Sequence, residues 1–250
     1  MQKTKEKLPT TFEESINLIG LCPIEFYKLY SHLPSDEFAY KKLKIIIQSL
    51  NRGWTPCYNS NSEKWNNYFY MSPEFKLYGS YNYADVSFIG MNIVFKEKSL
   101  AEYTAKQFVD IYKEFYDYNP KNEYPINIII PITSKEQIKT FEDALLRTDQ
   151  TLEEFNNLSK GLRSDEIAYR KLKIIIKVLN NDWKPNHNDL TEYKYYPWHQ
   201  LKAPFAFSGA HYGYMLTAST VGVRLCFKSR ELSDYVGKQF EDIYKQFMCC

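Results

Sequence analysis

The phrase LKIIIQSLNRGWTP, Leu43 to Pro56, is written a second time as LKIIIKVLNNDWKP, Leu172 to Pro185. A chain that repeats so long a phrase either uses one site twice or copies one scaffold twice, and its fold must hold two similar units. The likeness runs beyond the phrase. At an offset of 172 − 43 = 129, Ser35–Pro56 and Ser164–Pro185 share 15 of 22 residues, and Thr11-Phe12-Glu13-Glu14 answers Thr140-Phe141-Glu142-Asp143. Further on the offset is 222 − 90 = 132, and Gly90–Phe115 shares 13 of 26 residues with Gly222–Phe247. Such a period is too long for a solenoid, whose repeats run to about 50 residues. The expectation is two modules in tandem, 1–118 and 126–250, joined by a linker at 119–125, where Pro120 and Pro125 break helix.

Each module reads alike. A helix near 12–19 or 141–147 comes first. A longer helix follows from Ser35 or Ser164, read as N-caps, with Asp-Glu behind them suited to a positive helix start. Ala39, Leu43, Ile46, Ile47 and Leu50 recur at helical spacing, as do Ala168, Leu172, Ile175, Ile176 and Leu179. Gly53 suits a left-handed helix stop, and Trp54 and Trp183 are read as rings folded back on the core at that stop. Alternation over 89–96 and 221–228 predicts a half-buried strand, and Ile126–Ile132 a short one. A closing helix is expected from the capping box Ser99-x-x-Glu102, with the stripe Leu100, Tyr103, Phe108, Ile111, Tyr112 and Phe115 mirrored in the second module. The fold class is therefore α+β: two homologous modules, each a small antiparallel sheet packed against two to three helices.

The least similar stretch is the informative one for function. Aligned at 132, Tyr78–Ile89 (YGSYNYADVSFI) and Ala210–Val221 (AHYGYMLTASTV) coincide only at Ser87 and Ser219. Tyr gives a large amphipathic surface with few rotors to freeze, and Ser, Gly and Asn supply adaptable hydrogen bonds, a mixture characteristic of paratopes. The candidate binding residues are Tyr78, Tyr81, Tyr83, Phe88, Asn92 and Lys96 in the first module. In the second they are Trp198, His211, Tyr212, Tyr214, Arg224 and Lys228. Drift of a surface loop explains the same divergence, and both readings stand at this point.

Other chemistry finds little support. No phosphate-binding glycine loop, H-E-x-x-H or G-x-S-x-G occurs, so no cofactor, metal or catalytic residue is assigned. His187, His199 and His211, with Asp189 and Glu192, allow a hydrolase only as a distant alternative, since their spacing matches no helical pair. Thirty-two basic against 30 acidic residues exclude a strongly basic nucleic-acid binder. Single-stranded nucleic acid could still stack on Tyr and Trp beside Lys96, Arg224 and Lys228, and this is the second functional reading. Five cysteines without C-x-x-C spacing read as reduced thiols. With no apolar run of about 18 residues and no signal segment, no membrane partner and a cytoplasmic location are expected.

The strings SDEIAYRKLKIIIKVLNNDWKP, EYKYYPW and VGVRLCFKSRELSDYVGKQFEDIYK resemble a group of small uncharacterised proteins of gut Bacteroidota and of their phages and mobile elements. The resemblance covers about residues 126–248, with the first half a more divergent copy; YPWHQL departs from it by placing His199 where an aromatic is expected. It implies a phage or mobile-element context and supplies no catalytic residue. Together these readings predict a non-enzymatic recognition protein with a protein or other macromolecular partner, acting in the host cytoplasm or associated with a virion.

Overall fold

The computed structural model describes residues 7–57, 62–71, 74–82, 86–87, 93–116, 121, 126–186, 188–189, 191–201, 205–213, 218–219 and 225–248, with only the backbone described at 86–87, 210–213 and 218–219. The fold among these residues is mixed α and β. The first half runs α1 (Phe12–Leu18), α2 (Pro23–Tyr30), α3 (Ser35–Asn51), β1 (Trp65–Tyr70), β2 (Lys76–Asn82), β3 (Val86–Ser87), α4 (Lys98–Gln107) and α5 (Val109–Tyr116). The second half repeats that order. Its elements are α6 (Phe141–Leu145), α7 (Leu152–Leu158), α8 (Ser164–Leu179), β4 (Lys194–Gln200), β5 (Ala206–Gly213), β6 (Ala218–Ser219), α9 (Arg230–Gln239) and α10 (Glu241–Met248).

The helices carrying the doubled phrase are central. Every apolar position named for them on helical spacing is buried. Helix α3 packs on α1 and α5, α8 on α6 and α10, and α4 and α9 lie on the β1–β2 and β4–β5 hairpins. The asparagine of the phrase fastens each central helix to a distant segment. Asn51 donates through Nδ2 to the Val94 carbonyl at 2.8 Å and accepts from the Lys96 N–H at 3.2 Å. Asn180 makes the same two bonds, at 2.8 Å to the Cys226 carbonyl and 3.2 Å from the Lys228 N–H.

The halves meet through an ionic and aromatic contact whose members correspond at the 129-residue offset. Tyr40 donates to Asp165 and Tyr169 to Asp36. Lys44 bridges Asp165 and Glu166 at 2.7 and 2.8 Å, and Lys173 bridges Asp36 and Glu37, both at 2.8 Å. Lys41 pairs with Glu166 at 2.6 Å, and Arg170 pairs with Glu37. Each of these contacts from the first half to the second is returned, which is the pattern of an isologous, two-fold-related interface. The Tyr40, Tyr169, Phe115 and Phe247 rings pack together beside it, with Tyr40–Tyr169 centroids 5.5 Å apart.

The sheets cross the same divide. Strand β1 pairs antiparallel with β2 on one side and with β6 of the second half on the other, Phe69 facing Ser219. Strand β4 pairs with β5 and with β3 of the first half, His199 facing Ser87. Each three-stranded sheet is thus a hairpin from one half completed by a two-residue strand from the other. The exchange covers one edge of each hairpin, where unpaired backbone would otherwise be left.

Several sequence expectations need correction. Helix α3 is capped by Pro34, and its Ser35 is already helical; Asp36 and Glu37 stand in its first turn as expected, but are buried in the ion network. Gly53 does take positive φ at the stop, with Arg52 beside it, and Asn181 and Asp182 do the same in the second half without a glycine. Among the described residues of the alternating segments, Ile93, Val94 and Phe95 are all buried, and only Phe95 bridges β1, at Trp65. Burial from both sides replaces the half-buried strand. Ser99 is not an N-cap: the cap is Glu97, and its counterpart Ser229 does the capping in the second half. The closing helix breaks at Phe108 and at Phe240. Trp54 and Trp183 are both half-buried, and Trp183 packs on the core.

Candidate recognition surface

Strand β2 carries a bulge that decides where its tyrosines point. Tyr68 faces Gly79 and Phe69 faces Leu77, so Tyr78 is the extra residue. Residues three apart on a regular strand lie on opposite faces; an inserted residue cancels one alternation. Tyr78 and Tyr81 therefore share a face and stack, with ring centroids 5.8 Å apart and planes at 27°. Gly79 makes this possible, because a Cβ there would lie 2.9 Å from Tyr81 Cε2. Tyr70 packs edge-on to Tyr78 at 4.9 Å, Tyr68 edge-on to Tyr81 at 5.3 Å, and the Lys76 ammonium lies 6.0 Å from the Tyr70 centroid. Tyr78 and Tyr81 remain 48% and 40% exposed. The opposite face of β1 turns inward: Phe69 packs on Phe75, Tyr112 and Tyr116, and Asn67 bonds the Tyr112 hydroxyl at 3.1 Å.

The second hairpin repeats the bulge with other side chains. Trp198 faces Gly209 and His199 faces Phe207, leaving Ser208 as the extra residue. Tyr78 thus corresponds to Ser208, and Tyr81 to His211, at an offset of 130. The alignment of Tyr78 with Ala210 was two residues out of register, and Gly79 and Gly209 are a retained pair it concealed. Trp198 is half-buried against the core, with Ser208 Oγ donating to its carbonyl at 3.2 Å. His211 and Tyr212 stand opposite Tyr196 and Tyr195 in the ladder.

The remaining candidates divide. Tyr83, Phe88, Asn92, Tyr214 and Arg224 lie outside the described residues. Lys96 and Lys228 hold the asparagine clamps through their N–H groups, and Lys228 Nζ also reaches the Asn180 carbonyl at 3.0 Å. That places one proposed ligand cation on the last turn of α8, where positive charge is favourable in any case. His199 is fully buried, stacked on Phe205 and Tyr244 at 5.1 and 4.6 Å, with Nε2 3.3 Å from the Gly237 carbonyl. It corresponds to Phe69, so it does fill an aromatic position, and it is sealed from a hydrolytic role. No group of metal-ligating side chains occurs among the described residues.

The sequence reading missed the hairpins 65–82 and the interface carboxylates. The signal for the hairpins was available in the pair Tyr78-Gly79 and Ser208-Gly209. No family model, curated protein or solved structure matches the chain.

Proposed function

We propose that this chain is a duplicated, non-enzymatic recognition protein that folds as a covalent pseudo-dimer and presents two diverged aromatic hairpin faces to a macromolecular partner. The observation that carries this reading is the bulge at Tyr78, which turns Tyr78 and Tyr81 onto one exposed face beside Tyr70. Stacked rings already fixed by their neighbours lose little entropy on binding. Retention of the bulge with Ser208 and Trp198 in the other half supports a frame kept for display while its side chains change. The resemblance to proteins of Bacteroidota phages and mobile elements favours a virion or host-interaction role.

The test is affinity capture from host and phage-infected cells, comparing the wild type with Tyr78→Ala/Tyr81→Ala and reading both protein and nucleic acid. A protein retained by the wild type and lost from the variant supports the proposal; equal retention removes it. Single-stranded nucleic acid is the second reading, favoured by Lys76 beside Tyr70. It requires oligonucleotide retention that weakens steeply with salt, and a protein partner bound without such dependence excludes it.

A further inference from the structure

The first hairpin holds its closing helices through a buried amide that the second half lacks. Asn67 and Ser80 face each other across β1 and β2, and Ser80 Oγ donates to Asn67 Oδ1 at 2.6 Å. Asn67 Nδ2 donates in turn to the Ala101 carbonyl of α4 at 2.9 Å and to the Tyr112 hydroxyl of α5 at 3.1 Å. At the hairpin offset of 130 this pair becomes Pro197 and Ala210, which also face each other and whose side chains carry no donor or acceptor. Tyr244, the counterpart of Tyr112, is nevertheless kept, and in the same place. Its ring lies 4.6 Å from that of His199 at 28°, as the Tyr112 ring lies 4.7 Å from Phe69 at 35°.

Polar atoms have meanwhile entered around that hydroxyl. His199 stands where the first half has Phe69, and Ser233 where it has Ala101. His199, Ser233 and Tyr244 are 0%, 0% and 2% exposed. His199 Nδ1, Ser233 Oγ and Tyr244 Oη have no hydrogen-bond partner among the described residues. All three belong to one place. Pro197 and His199 are two apart on β4 and share a face, which is turned to α9: a Cβ at Gly237 would lie 2.8 Å from Pro197 Cβ, and His199 Nε2 is 3.3 Å from the Gly237 carbonyl. Ser233 lies one turn before Gly237 on that face of α9, and Tyr244 stacks on His199 from α10.

The three atoms are complementary as donors and acceptors. A carbonyl can only accept, so Nε2 of the neutral, buried imidazole carries the proton and Nδ1 offers a lone pair. Burial pushes the Tyr244 hydroxyl up, so its O–H remains a donor. Ser233 Oγ serves in either role. We propose that one buried water molecule is bound between β4, α9 and α10 where the first half has the Asn67 amide, accepting from Tyr244, donating to His199 Nδ1 and bonding Ser233 Oγ. Three partners are the ordinary number for a buried water. Buried polar groups left unmet are rare, because each gives up its hydration without return. One half thus ties its hairpin to the closing helices with a side chain, the other with a solvent molecule.

The experiment combines thermal melts of the full chain, Tyr244→Phe, Ser233→Ala and the double variant with a crystal structure of the wild type at a resolution that shows ordered water. A hydroxyl bonded to a water loses that bond when it is removed, whereas an unmet buried hydroxyl is better removed. Tyr244→Phe is therefore expected to lower the melting temperature by about 2–4 °C, the shift for one hydrogen bond in a chain of this size. Ser233→Ala should lower it less. The double variant should lose less than the sum, because both hydroxyls act through one molecule. Density for one water within hydrogen-bond distance of all three atoms is expected. A melting temperature unchanged or raised in Tyr244→Phe overturns the proposal, and so does a structure in which the three atoms bond protein groups with no density between them. Strictly additive losses overturn the shared molecule, and density for a larger solute overturns water as the occupant.

Discussion

Tyr40 donates to Asp165 at 2.9 Å, and Tyr169 returns the bond to Asp36 at 3.1 Å. Around this exchange the carboxylates of Glu37 and Glu166 each face two cations from the opposite half. Buried ions are stable only while their partners remain, so removing one leaves the others uncompensated. Glu37→Gln is expected to lower unfolding free energy by about 3–5 kcal/mol, and Glu166→Gln by a similar amount because its contacts are equivalent. Chemical denaturation of both variants checks this; a loss below about 1 kcal/mol in either would show the network to be worth no more than a surface pair. Acid should act on the same site. Burial would raise the Glu166 carboxyl, but Lys44 and Lys41 outweigh it and hold the group below its ordinary 4.5. Its contribution is present above pH 4.5 and is lost as pH falls further, through its lowered folded value.

The asparagine of the doubled phrase is expected to be more costly to replace than its tryptophan. Asn180 is buried and satisfies one carbonyl and one N–H that have left regular secondary structure. Asn180→Ala orphans both and should cost about 2–4 kcal/mol, at about 1–3 kcal/mol for each unsatisfied group with partial relief by water. Asn180→Asp keeps the acceptor and loses the donor, so it should fall between. Thermal melts of Asn51→Ala and Asn180→Ala should agree, since the clamp is the same in both halves; a harmless substitution at either position contradicts the assignment.

How much of this was legible in the sequence follows from the range of the interactions. The central helices were readable because Leu43, Ile46 and Ile47 recur at a local spacing, and that spacing reports one buried stripe. The roles of Asp36 and Glu37 were not readable, because their partners Lys173 and Arg170 lie more than 130 residues away and an acidic pair in a first helical turn has a sufficient local explanation. The exchange of β3 and β6 was hidden for the same reason: two-residue strands leave no periodicity. The tyrosine face was half legible. Its composition marked Tyr78 and Tyr81, but only the pairing register shows that a bulge puts both on one side. Alternation over Ile93–Phe95 misled because packing there comes from both sides, which no period of two records.

His199 gives a pH dependence of its own. Burial, the larger effect, pushes its imidazole down, and the Gly237 carbonyl opposes it only in part, leaving a value of about 4 against the usual 6.5. The folded protein therefore holds the neutral ring while the unfolded chain takes up a proton below pH 6.5. Stability should decline from pH 6.5 to about 4 and level off for this group below that, a total of about 3 kcal/mol at about 1.4 kcal/mol per unit. His199→Phe places in the second half the residue that Phe69 supplies in the first. The difference in unfolding free energy between wild type and variant, followed from pH 7 to 4, should shift by that amount in favour of the variant. A constant difference across this range would show the ring to be protonatable in place.

Strand exchange makes a last outcome testable. The two halves share both sheets and the ion network, so their association is expected to survive loss of the covalent joint. A protease site placed between Tyr116 and Ile126, cut in the folded protein, should yield two fragments that elute together at the volume of the intact chain. Their unfolding should then depend on protein concentration, because reassembly has become bimolecular; dilution lowers the midpoint of the cut protein and leaves that of the intact chain unchanged. Fragments that separate on cleavage in the absence of denaturant would mean that the reciprocal contacts of Tyr40, Tyr169 and the two-residue strands do not hold the halves together.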